Sequence, residues 1–398
     1  MFGKRKVGRV LVAAAVMVAV GGAAVLLRGQ DRAPVREEIV KPAPRQVAEV
    51  RAMLADLKVD EPRRYKNMVV FPIRWGGKQA GGTWSTMDIA SGAGELKVTE
   101  KGEATVPTVE MRNLGDRTIL LMSGEIIKGG QQTRVIRRDT IVDARQRVDV
   151  PVFCVERHRW SGEKEFKNST NMAPAAMQEQ IKRGADQAEV WREVDRKSDA
   201  VGAKSSTGSL DEVLESDKVQ QEQSKARDSL GHFSPPETIG VAFGDLRTGR
   251  VVGLELFGNR YLFEKLQEKL IEGYTTELVV ASGAVDEKEI REGRVTQRDV
   301  EAFIERVAAG TSGYEETAGS GRGVDLTSGE LRGKGVAMGE TLIHLSVQDL
   351  RPVVTPAKPI IEDRDNRDRE LDDRPSPRPV PPVDPEPRPR PIPMPMER

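Results

Sequence analysis

Behind Lys4, Arg5, Lys6 and Arg9 the chain carries eighteen consecutive residues without a charge, 10–27, closed by Arg28. A helix needs roughly 17–25 apolar residues to cross a bilayer, whereas the core of a signal peptide has only ~7–15. Residues 1–28 therefore read as a membrane anchor. The cations before the run keep the N-terminus in the cytoplasm and send everything after Arg28 to the far side. Gly21, Gly22, Ala23 and Ala24 leave a second reading open, in which cleavage after Ala24 yields a secreted or periplasmic product. A buried helix of a soluble protein is a third. No Cys closes the run, which excludes a lipoprotein anchor of the bacterial kind. The bulk of the chain is thus expected outside the cytoplasm, in a cell envelope, on a single-pass anchor.

The opposite end cannot build a core. Residues 351–398 hold 14 of the 24 Pro, ten basic and ten acidic residues, and no aromatic. Such a stretch buries too little apolar area to offset the entropy of ordering it, so a disordered tail is predicted. Within it, residues 362–374 mix charges, and residues 375–395 alternate Pro with Arg, Val or Ile, favouring extended polyproline II. A segment of this kind either docks on the aromatic groove of an envelope partner or serves as a semi-rigid spacer.

Residues 29–64 read as a stalk. Pro34, Pro42, Pro44 and Pro62 flank an amphipathic stretch, 46–57, with Val47, Val50, Met53, Leu54 and Leu57 at helical spacing. That leaves residues 65–350 as the folded body. Lys plus Arg (62) equals Asp plus Glu (62), which argues against an electrostatic grip on nucleic acid, and one Cys with three His builds neither a disulfide framework nor a Cys/His zinc site. No cofactor and no metal are expected.

The first half of the body is rich in β-branched runs, at 67–73, 95–99, 108–112, 118–122, 133–142 with a charged break, and 148–156. Gly, Asn and Asp punctuate them. Residues 172–197 and 209–230 are polar helical stretches around a loop at 198–208, and Ser209 with Glu212 suggests a capping box. Strands follow at 238–243 and 251–257, helices at 260–272 and 299–308, and a hairpin joins 331–338 to 341–347 through Gly339 and Glu340. The fold class predicted is α+β: one antiparallel, β-rich domain, sheet or sandwich, with inserted polar helices.

Gly124, Glu125, Gly129, Gly130, Gln131 and Arg134, followed by Val150, Pro151, Val152, Cys154, Val155, Glu156, Arg159 and Trp160, form a signature. Leu256, Phe257, Gly258, Leu262, Phe263, Leu270 and Tyr274 form a second block, and the hairpin near His344 an end. In this order they resemble the ARG (ADP-ribosylglycohydrolase) and rhodanese-phosphatase-superfamily-associated protein domain, over residues 69–347. The resemblance implies little about activity, since that family is named for genomic company with ADP-ribose and NAD metabolism. The anchor, the tail and the polar helix at 209–230 depart from its pattern.

Among residues able to do chemistry, Glu125 sits between Gly124 and the apolar pair Ile126 and Ile127, so its carboxylate belongs to a strand or its end. Glu156 stands where a strand exits. Both are candidates for acid/base work. Gly129 and Gly130 let backbone approach a ligand; Gln131 follows; Arg134 offers a guanidinium fork to an anion; and Trp160 offers a stacking face. The plainer reading pairs Arg134 with a nearby Glu across two strands. Cys154, in an apolar strand, reads as a small buried hydrophobe rather than a nucleophile for His158. His232 and His344 read as structural. The nine glycines of residues 310–339 match neither a phosphate loop nor a dinucleotide fingerprint and read as flexible loops around the hairpin. Two functions follow: an envelope-anchored binding or scaffolding protein, or a hydrolase acting on a nucleotide-like or ADP-ribose-like compound.

Overall fold

The computed structural model of the chain describes residues 46–101, 107–203, 205–281 and 294–351. Residues 1–45, read above as a membrane anchor and the first part of a stalk, and residues 352–398, read as a Pro-rich tail, lie outside these. Among the described residues no helix is long and apolar enough to cross a membrane. The described chain is a β-rich α+β fold built on antiparallel sheets, one of them closed into a barrel.

The largest layer is a nine-stranded sheet. Its order is β1 (Leu57–Val59), β3 (Met68–Trp75), β13 (Thr238–Asp245), β14 (Arg250–Phe257), β18 (Thr341–Asp349), β17 (Leu331–Met338), β16 (Arg322–Ser328) and β15 (Thr311–Glu315), with β2 (Arg63–Tyr65) pairing to β3. β3 and β13 read as continuous apolar runs because both faces of the sheet are covered. On one face α1 (Ala48–Leu54) and α8 (Gln297–Ala308) bring Val50, Met53, Val300, Phe303 and Val307 against Phe71 and Leu256. On the other, α7 (Arg260–Thr275) packs Phe263, Leu266 and Tyr274 against Val70 and Phe243. The Phe243 and Tyr274 rings stack at 3.7 Å. At its end α7 passes into a π-helical turn, Thr276–Val280.

The second sheet closes on itself in the order β11 (Arg147–Cys154), β6 (Thr108–Asn113), β5 (Leu96–Glu100), β12 (Glu165–Met172), β8 (Glu125–Gly129) and β9 (Arg134–Ile136). β11 achieves the closure by pairing its first half with β6 and its second half, from Val152, with β9. Val98, Met111, Ile127, Ile136, Val150 and Val152 share one core. Outside, Ile126, Val135, Phe153 and Val155 are covered by α3 (Ala175–Arg183), α4 (Gln187–Val201) and α5 (Leu210–Leu214). Hence the two periods of β11: Arg147 and Asp149 face water, whereas Val152, Phe153 and Cys154 are all buried. A small sheet of β4 (Trp84–Thr86), β7 (Thr118–Leu121) and β10 (Thr140–Val142) contains the parallel pair β4–β7.

Several expectations change. Residues 46–64, read as the end of the stalk, supply α1, β1 and β2, so the ordered body starts at the amphipathic stretch rather than at Tyr65. The run 172–197 begins as the end of β12 and then splits into α3 and α4, and α4 extends to Val201 into the expected loop. Residues 209–230 split into α5 and α6 (Asp217–Leu230), and Ser209 makes no side-chain cap. Its N–H instead donates to Ser205 Oγ at 2.7 Å. True capping boxes stand at Asp186 with Glu189 and at Thr296 with Asp299. The glycine-rich stretch forms β15 and β16 beside the expected hairpin. Gly335 shows why glycine is there: a Cβ would lie 2.2 Å from the carbonyl oxygen of His344 on the neighbouring strand.

Candidate functional site

One end of the barrel gathers most of the signature. Gly129 and Gly130 turn the chain from β8 to β9 with φ of 96° and 54°, conformations that only glycine adopts freely. A Cβ on Gly130 would meet the Phe166 ring at 2.3 Å and Glu100 Oε1 at 2.7 Å, so the turn lies flat on the barrel end. Gln131 N–H donates to Glu100 Oε1 at 3.0 Å, and Thr133 N–H to Glu156 Oε2 at 2.9 Å. Arg159 forks onto both oxygens of Glu156 at 2.8 and 2.7 Å. It also donates to the carbonyls of Gly130 and Gly129 at 2.8 and 3.2 Å, clamping the loop after β11 over the turn.

Arg134 sits beneath this roof with no exposed surface. Its Nη1 donates to Gln132 O and Oε1 at 3.1 and 3.2 Å. Its Nη2 stands 3.6 Å from Glu100 Oε1, an ion-pair distance too long for a hydrogen bond. Arg134 Nε and Nη2, Glu100 Oε2 and Gln131 Oε1 are buried without a hydrogen-bond partner among the described residues. A buried donor left unmade costs about 1–3 kcal/mol, so this concentration at one spot calls for an explanation. Cys154 lies opposite Arg134 across the β9–β11 ladder. Burial pushes its thiol up to about 11 against the pull of Arg134, which suits an inert core residue rather than a nucleophile. His158 is exposed, whereas Cys154 is buried.

The candidate carboxylates occupy different environments. Burial alone would raise Glu156, but the Arg159 fork and the Thr133 N–H outweigh it and hold the group below the usual range. Glu125, fully buried, accepts from Met122 N–H and from Lys269 Nζ, both at 2.8 Å. Lys269 also donates to Asp88 at 2.6 Å. Burial pushes Glu125 up; in Lys269 burial acts downward, but Glu125 and Asp88 together keep the ammonium above its ordinary range. The structure thus brings Gly129, Gly130, Gln131, Arg134 and Glu156 together at the barrel mouth and holds Glu125 in a separate ion cluster against α7. Trp160 projects from the clamped loop and is 53% exposed. Trp191 of α4, by contrast, has Arg157 over its ring at 5.2 Å.

Sequence reasoning missed three buried charges that do most of the organising. Glu100 follows Leu96 and Val98 on the apolar period of β5, Glu255 lies between Leu254 and Leu256, and Lys269 falls beside Leu266 and Leu270 on the apolar side of α7. A charge on an apolar period was the available signal. Among the described residues no group of His, Cys, Asp and Glu is arranged to hold a metal ion.

Fold and site together define an α+β domain in which a small closed barrel presents a polar mouth. The chain belongs to the ARG and Rhodanese-Phosphatase-superfamily-associated Protein domain family, whose sequence model matches residues 56–348. No curated protein and no solved structure matches it.

Proposed function

We propose that this protein is a binding module, held at a membrane by residues 1–28, that recognises a small anionic group at its barrel mouth and reaches an envelope partner through residues 351–398. The observation that carries the anion reading is the edge of Arg134 formed by Nε and Nη2, which makes no hydrogen bond among the described residues. Nε–H and one Nη2–H of a guanidinium run parallel, and that edge matches the two oxygens of a carboxylate or phosphate. The Nη1 edge is already occupied by Gln132, so the roof leaves the recognition edge for something else. Glu100 is the internal competitor, and an arriving anion takes its place beside Arg134.

Binding is favoured over hydrolysis because the acid/base candidates are engaged apart from each other. Glu156 is committed to Arg159 and a backbone N–H, and Glu125 to Lys269 in another cluster. Neither has the free, water-facing oxygen that a general base uses.

Inorganic phosphate and acetate titrated against the full chain in detergent test the reading. Phosphate or acetate should bind, Arg134→Lys should weaken it by losing the fork, and Glu100→Gln should strengthen it by removing the competitor. No binding by the parent or by Glu100→Gln would leave the Arg134 edge to Glu100 alone and end the proposal. A topology reporter fused after Leu350 checks the sidedness, and a cytoplasmic signal there would overturn the exported placement.

A further inference from the structure

A cleft of about 270 Å³ lies where α1, the exit of β3 and the turn into β18 meet, and it shares no residue with the barrel mouth. Its floor is apolar: Met53 of α1 and Leu342 of β18 are each 1% exposed. One wall is the indole of Trp75, at the end of β3, which is 7% exposed. The chain that follows fixes this ring. An ideal Cβ on Gly77 would fall 2.2 Å from Cε2 and Cζ2 of the indole, so the glycine backbone lies against the ring edge and a larger residue would push the ring aside. A Cβ on Gly76 would stand 3.5 Å from Asp56 Oδ2, which sets that carboxylate at the same opening.

The polar groups around this floor are uncommitted. Trp75 Nε1–H makes no hydrogen bond among the described residues, whereas the indole of Trp84 donates to Gly81 O at 2.9 Å. A buried indole N–H ordinarily finds a partner. Asp56, Lys78 and Glu340 are exposed on the rim, and none of their side chains makes an ion pair or a hydrogen bond among the described residues. Glu49, by contrast, is satisfied: Arg322 reaches one of its oxygens at 2.5 Å and Tyr314 the other at 2.6 Å. The cleft therefore holds no buried charge that asks for a counter-ion.

We infer that this cleft binds one ring of a neutral sugar. Two donors, Trp75 Nε1 and Lys78 Nζ, and two carboxylate acceptors, Asp56 and Glu340, stand around an apolar floor. A ring of hydroxyls that donate as well as accept, with carbon–hydrogen faces between them, answers all four. An anion would meet Asp56 and Glu340, and a cation would meet Lys78. Cation recognition by an aromatic side chain also requires an open ring face, whereas this indole is almost wholly buried and offers its N–H. The volume falls just below the roughly 300–1,000 Å³ of pockets for drug-sized molecules, so one ring fits and the rest of any glycan extends into solvent.

Nuclear magnetic resonance of the nitrogen-15-labelled full chain tests this, in micelles of lauryldimethylamine oxide, a detergent without a sugar head group. The indole N–H signals of Trp75, Trp84, Trp160 and Trp191 are assigned by replacing each with Phe. Glucose, galactose, mannose and N-acetylglucosamine, each alongside its methyl glycoside, are titrated through the millimolar range. At least one should shift the Trp75 signal saturably and leave the other three in place. A free sugar acting where its glycoside does not marks a free monosaccharide as the ligand; a glycoside acting equally well marks the end of a glycan. Asp56→Asn, Lys78→Met and Glu340→Gln, all at exposed positions, should each weaken binding roughly tenfold. No shift with any sugar would overturn the inference, as would a shift that persists unweakened in all three variants. A Trp75 shift produced by tetramethylammonium or acetate but by no sugar would overturn it in favour of an ion site.

Discussion

His344 Nδ1 lies 2.6 Å from Asp139 Oδ2, joining the last long strand of the main sheet to the turn that leaves the barrel. The other ring nitrogen faces Glu255 Oε2 at 3.3 Å, and the imidazole leans on Phe257 at 4.5 Å between centroids. All three polar residues are buried. Ser346 and Tyr274 donate to Glu255 at 2.7 and 3.1 Å, so the carboxylate is satisfied from several elements at once.

A pH dependence of stability follows from that pair. Burial alone would depress His344, but Asp139 and Glu255 outweigh it and lift the group from 6.5 to about 9. A folded-state value above the unfolded one stabilises fully below the unfolded value and is lost as pH rises through the folded one. Unfolding followed by urea between pH 6 and pH 10 should therefore show stability falling between about 6.5 and 9, by about 3 kcal/mol in all. His344→Asn should be less stable at pH 6 and lack this slope. A variant retaining the slope would show that another group causes it.

Lys269 neutralises Glu125 in a place water does not reach. Lys269→Met leaves that carboxylate buried without its cation and should cost about 3–5 kcal/mol, whereas pairing the change with Glu125→Gln should recover a large part. Denaturant unfolding of the two single variants and the double variant measures the coupling directly.

Gly130 is needed for its conformation and for its missing side chain. Gly130→Ala must hold a positive φ and push its methyl into the Phe166 ring, at a cost of about 2–4 kcal/mol. Thermal unfolding checks the stability. Because the turn carries Gln131 to Glu100 and roofs Arg134, phosphate binding should fall along with it.

Trp160 is the exposed aromatic of the clamped loop. Trp160→Phe should change stability by less than about 0.5 kcal/mol while removing the component of tryptophan emission most open to acrylamide quenching. Trp75 and Trp84 are buried and Trp191 is covered by Arg157, so the lost component identifies itself. An unchanged quenching curve would contradict the exposure of this side chain.

Elements whose own pattern matches their burial are legible in the amino-acid order alone. β3, β13, β14, the long helix α7 and the β17–β18 hairpin all show it, because β-branched runs and a 3.6-residue apolar stripe are local properties. β12 is not legible in this way. Its sequence, EFKNSTNM, is mostly polar and becomes a strand because β5 and β8 complete its ladder on both sides. β16 is masked by Gly323, where a Cβ would lie 3.0 Å from the carbonyl oxygen of Glu315 on β15, a close approach visible only with the neighbour in place. Ser209 fails as a cap for a similar reason, since the backbone there is held by a bridge to Glu156.

By itself the sequence determined the family, the α+β class, most strand positions and the two signature segments at 124–134 and 150–160. These depend on residue type and short spacing. Only the tertiary structure decided that the second set of strands closes into a barrel, that Glu100 stands beside Arg134, and that Glu125 and Glu156 belong to separate ion clusters. Which buried charge meets which is set by strand register and by chain closure over tens of residues, and a carboxylate carries no mark in its immediate neighbours of the cation it will reach.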